Sequence, residues 1–112
     1  MKLNIEHITF DCHDAPRLAA FWSAATGLEI VDEPGAFMRL APGQGGIRFA
    51  FQSVPEDKVA KNRMHMDINS DDMAATVDEL VALGASIVAA HSSPNATWTV
   101  MQDPEGNEFC VN

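Results

Sequence analysis

Apolar and polar side chains alternate from Leu3 to Cys12, which predicts a strand with Ile8, Phe10 and Cys12 on one face and His7, Thr9 and Asp11 on the other. The period then changes. Leu18, Phe21, Trp22 and Ala25 recur at helical spacing between an N-capping Asp14, with Pro16 in the first turn, and a terminating Gly27. Leu28–Asp32 and Ala36–Ala41 read as short strands about the Glu33-Pro34-Gly35 turn, and Ile47–Ser53 reads as a fourth strand. It sets Ile47, Phe49 and Phe51 against Arg48, Ala50 and Gln52.

After residues 54–61, a polar stretch containing Pro55, the pattern restarts. Arg63–Asn69 is strand-like. Asp71 or Asp72 caps a second helix with Met73, Val77, Leu80 and Val81 on one stripe, closed by Gly84. Ser86–Ala90, Thr97–Gln102 and Asn107–Val111 read as strands, the last two joined by an Asp103-Pro104-Glu105-Gly106 turn. The order βαβββ therefore occurs twice. An offset of 58 residues carries His7 onto His65 and Asp14 onto Asp72. This predicts one domain over residues 1–112, built from a module at about 1–53, a linker at about 54–61 and a module at about 62–112.

The polar faces of four strands hold His7, Asp11, Arg48, Gln52, His65, Asp67, Glu108 and Cys110. One such face ordinarily meets water. Four in a repeat, two with His at equivalent positions, predict a cleft where ionisable groups converge. Trp98 either walls that cleft or packs outside it, since alternation opposes Trp98 and Val100 to Thr97 and Thr99 without fixing the direction.

Composition narrows the partners. At 46% hydrophobic and 21% charged, the 112-residue chain is an ordinary globular one. Its formal charge of −9, without a basic run, argues against nucleic acid and anionic membranes. No apolar run approaches the ~18 residues of a membrane span, no signal peptide is visible, and two cysteines lack CxxC spacing; a reduced, cytoplasmic setting is expected. The Gly43–Gly46 run leads into a strand and lacks Lys-Ser/Thr, so it is a turn and not a phosphate loop. Cys12 reads as a packed thiol, and His13 and His91 as solvated loop residues.

His7-Ile8-Thr9-Phe10-Asp11, Asp14…Phe21-Trp22…Gly27-Leu28, Arg63-Met64-His65-Met66-Asp67, Leu80…Leu83-Gly84-Ala85 and Asp103-Pro104-Glu105-Gly106-Asn107-Glu108-Phe109 span essentially the whole chain. In these segments the sequence resembles the glyoxalase/bleomycin-resistance/dioxygenase family, or vicinal oxygen chelate superfamily, and in particular its small glyoxalase-like domain members. The resemblance implies an α+β fold. Two tandem βαβββ modules would form a curved eight-stranded mixed sheet around a cleft, with helices on the outer face.

Metal-dependent members place ligands, commonly His and Glu, on the first and fourth strand of each module. The resemblance thus implies His7, His65 and Cys110 as ligands of a divalent ion (Zn, Ni, Fe or Mn). Cys110 stands where many relatives have Glu, and the remaining position falls on Ala50 or Gln52. A thiolate there favours the softer ions. In such enzymes the ion polarises two adjacent substrate oxygens while a base moves a proton. Asp67 and Glu108 are the candidate bases, each equally able to be an outlying acid paired with Arg48 or Arg63. Arg48, Gln52 and Trp98 are candidate substrate contacts. The plain alternative makes both histidines ordinary hydrogen-bonded cleft residues. Three functions compete: a metal-dependent lyase, isomerase or dioxygenase; a metal-free protein that sequesters an antibiotic or toxin; and a regulatory or structural domain with a vestigial cleft. The partner in the first two is a small molecule, and a homodimer is expected from the family.

Overall fold

The computed structural model describes residues 1–2 and 5–112, which divide into two compact units, Met1–Asp57 and Lys58–Asn112. The described residues make a mixed α+β fold with two α-helices and two sheets. In the first unit β1 (His7–Cys12), β2 (Phe37–Arg39) and β3 (Arg48–Ser53) form a three-stranded sheet in the order β1-β3-β2. β1 runs parallel to β3 with His7 opposite Arg48 and Asp11 opposite Gln52, and β2 pairs antiparallel to β3. Helix α1 (Ala15–Thr26) begins where the Asp14 carboxylate accepts the Arg17 N–H and ends at Gly27, whose φ of 76° suits a residue without Cβ. Its buried Leu18, Phe21 and Trp22 join Phe51, Met38 and Leu40 in this unit's core.

In the second unit β4 (Met66–Ile68), β5 (Ser86–Ser93), β6 (Ala96–Gln102) and β7 (Glu108–Val111) form a four-stranded sheet in the order β4-β7-β6-β5. β4 is parallel to β7; the other pairs are antiparallel. Asp72, rather than Asp71, caps α2 (Met73–Leu83) by accepting the Ala75 N–H, and Gly84 closes it at φ 116°. Val77 and Leu80 face a core of Met101, Phe109 and Val111.

Several elements are shorter than alternation predicts, so seven strands form among the described residues where eight were expected. β1 begins at His7 because β3 offers no partner before Arg48; Ile5 is exposed, and Leu3 and Asn4 lie outside the described residues. The strand expected over Leu28–Asp32 contracts to a single bridge between Ile30 and Leu40. There the Asp32 carboxylate accepts the Arg39 backbone N–H and two guanidinium bonds, each at 2.9 Å, so a side chain takes a place a strand carbonyl would hold. Val81, expected on the buried stripe of α2, is exposed. β5 runs on to Ser93, which puts His91 in a strand and not in a loop.

Candidate functional site

The alternation of β6 and β7 decides the direction of Trp98. Thr99 and Met101 are buried on the helix side, where the Thr99 hydroxyl lies 3.6 Å from Met73 Sδ, so Trp98 and Val100 take the opposite face. Cys110 is on that face too, being the register partner of Val100 on one side and of Asp67 on the other. The result is a cavity of about 370 Å³ within the second unit, walled by His65, Asp67, Trp98, Cys110, Ala96, Thr97 and Asn112.

Three potential metal donors converge in it. One ligand atom from each of His65, Asp67 and Cys110 lies within 4.8 Å of the other two. His65 Nε2 is 3.4 Å from Asp67 Oδ1, and both side chains are open to solvent. Cys110 is half-buried and free of any disulfide. Burial pushes its thiol up from the ordinary cysteine range; the neighbouring Asp67 carboxylate adds to this and Lys61 offsets part of it. His65 lines this cavity from just before β4, one residue ahead of the first paired residue of that strand. Trp98 is stacked on His91 of β5, its cross-strand partner, with ring centroids 5.2 Å apart and planes 22° from parallel. His91 was missed as a candidate. The seven-residue spacing to Trp98 about Pro94-Asn95 is the signal that would have placed it in the hairpin.

Glu108, on the same strand as Cys110, serves a different environment. It is nearly buried and accepts the Asn62 N–H at 3.0 Å and a Lys58 Nζ bond at 3.2 Å; neither Arg48 nor Arg63 is its partner. Burial alone would push this carboxyl up, but the backbone N–H groups of Asn62 and of Glu108 itself, together with Lys58, hold it below the ordinary glutamate range. A second cavity of about 460 Å³ lies there, walled by Lys58, Lys61, Gln102 and Glu108 among others.

The remaining candidates stand on the first unit's sheet. His7 is half-buried, edge-on to Phe37 at 5.9 Å, and its Nε2 is buried with no hydrogen-bond partner among the described residues. Arg48, opposite it in register, donates to the Leu40 carbonyl at 3.3 Å. Ala50 is fully buried while Gln52 is exposed, so only Gln52 offers an accessible polar group at the ambiguous fourth-strand position. Cys12 is buried and donates to the Gln52 carbonyl, and the exposed His13 bonds the Glu56 carbonyl.

A family model described as the glyoxalase-like domain matches residues 7–112. The chain belongs to that family. Solved structures agree on the fold of this glyoxalase-like protein. A glyoxalase/bleomycin resistance protein/dioxygenase family enzyme from Burkholderia phytofirmans PsJN superposes with a TM-score of 0.79 at 17% identity, covering 98% of each chain. A mutant of the fosfomycin resistance protein FosX from Listeria monocytogenes, complexed with Mn(II) and 1S,2S-dihydroxypropylphosphonic acid, gives 0.76 at 14% identity over 100% of this chain and 90% of that one. The bleomycin-binding protein of Streptomyces verticillus, complexed with copper(II)-bleomycin, gives 0.64 at 21% identity over 100% and 97%. A search of curated sequences returns no match.

Proposed function

We propose that this glyoxalase-like protein is a metal-dependent enzyme acting on a small substrate with two adjacent oxygens, in the lyase, isomerase or dioxygenase range. One observation carries the reading: imidazole, thiol and carboxylate groups from His65, Cys110 and Asp67 converge within 4.8 Å on the wall of a cavity of substrate size. The donor set fits a divalent ion, with His65 and Cys110 as its ligands. Such an ion supplies Lewis acidity toward the adjacent oxygens of a substrate.

Asp67 is exposed, with His65 3.4 Å away, and it serves as proton acceptor beside the bound substrate. Glu108 is the weaker base, because taking a proton there means surrendering Lys58 or Asn62. Trp98 presents its ring to the cavity and His91 backs it, which orients a flat ligand. Arg48 and Gln52 remain proposed substrate contacts on the first unit. Two cysteines outside any disulfide suit a reducing cytoplasm, and a homodimer belongs to the same reading through the family.

The stacked Trp98–His91 pair also favours a second reading, sequestration of an aromatic small molecule without catalysis. A panel of α-hydroxy carbonyl compounds and catechols, assayed before and after chelation, separates the two. The enzyme reading predicts turnover that chelation abolishes and metal restores. Binding that survives chelation, falls in Trp98→Ala and never yields product would replace it with sequestration.

A further inference from the structure

Cys110 brings a sulfur atom into this donor set. It sits in parallel register with Asp67, and its sulfur lies within 4.8 Å of the donor atoms of both His65 and Asp67. The rest of the wall is Ala96, Thr97, Trp98 and Asn112, so Asp67 is the one carboxylate side chain among the lining residues. Hard ions such as Mg²⁺ and Mn²⁺ are held by several oxygen ligands, whereas thiolate and imidazole suit softer ones. Cys110 is half-buried, which shields a sulfur ligand from bulk solvent while leaving it open to the cavity.

We propose that Cys110 is a thiolate ligand that makes this site selective for thiophilic divalent ions, Zn²⁺ foremost, over Mn²⁺. The proposal rests on the metal reading above and adds the identity of the ion. Almost any nitrogen-containing site prefers Zn²⁺ to Mn²⁺, so a bare preference decides nothing. The sulfur bond and its share of the selectivity are the discriminating quantities.

The test is a Co²⁺ titration of the full-length protein followed by absorption, with Zn²⁺ and Mn²⁺ affinities measured on the same protein and on Cys110→Ser and Cys110→Glu. The expected wild-type result is an intense near-ultraviolet thiolate-to-cobalt charge-transfer band that Zn²⁺ displaces. Both variants lose the band. Cys110→Glu keeps metal binding, but its Zn²⁺-over-Mn²⁺ ratio falls by on the order of 10-fold or more. Cobalt that binds the wild type without that band overturns the thiolate ligand and leaves the metal reading standing. A ratio unchanged in Cys110→Glu overturns the selectivity. A wild type that binds none of the three ions removes both readings, and because it is read on unmodified protein, variant misfolding cannot mask it.

Discussion

Asp67 and Glu108 are carboxylates of one sheet with opposite surroundings. Asp67 stands open beside His65 at 3.4 Å, and Glu108 is nearly buried between the Asn62 N–H and Lys58. A general base must reach the substrate proton and be free to accept it, and only the first geometry allows both. Asp67→Asn is therefore expected to keep the metal content of the parent protein while lowering turnover about 10²–10⁴-fold. Metal analysis and steady-state assay on the same preparation check this, and loss of metal would make Asp67 a ligand instead. The identities of these residues were legible from strand alternation alone. Their contrasting surroundings were not, because those depend on Lys58 from the stretch read as linker and on the Asn62 N–H at the start of the second module.

At the scale of elements, side-chain hydrogen bonds decide where strands stop. Asp32 takes the Arg39 N–H and its guanidinium, and a full strand over residues 28–32 does not form. That ion pair holds the Asp32 carboxyl below the ordinary aspartate range, chiefly through the side-chain bond to Arg39, with burial opposing it. A depressed folded pKa contributes stability above the unfolded value of about 3.9 and loses it as pH falls through the folded one. The stability gap between the parent and Asp32→Asn should thus be constant near neutrality and close in acid, as chemical denaturation across pH would show. A gap that widens in acid would contradict the assignment. Helix limits were legible, since Asp14, Gly27, Asp72 and Gly84 act locally as caps. Strand limits and the facing of Trp98 were not, since they follow from register against β3 and β7 and from packing on α2.

Across the whole molecule, the two units each carry a core, Leu18, Leu40 and Phe51 in one and Met101, Phe109 and Val111 in the other. The mixed α+β character and the family were legible because they are written in periodicity and in segments such as His65-Met66-Asp67 and Asp103–Phe109. The reaction was not, since a superposition at 14–21% identity carries the fold alone. The net charge of −9 acquires a local meaning if a cation sits against Asp67 in the second unit's cavity. The most direct measurement is elemental analysis of untagged full-length protein beside a His65→Ala/Cys110→Ser double variant of verified fold. A divalent ion near one equivalent per chain in the parent, lost from the double variant, is the predicted result. Negligible metal in both, or equal metal in both, would contradict a metal centre at His65 and Cys110.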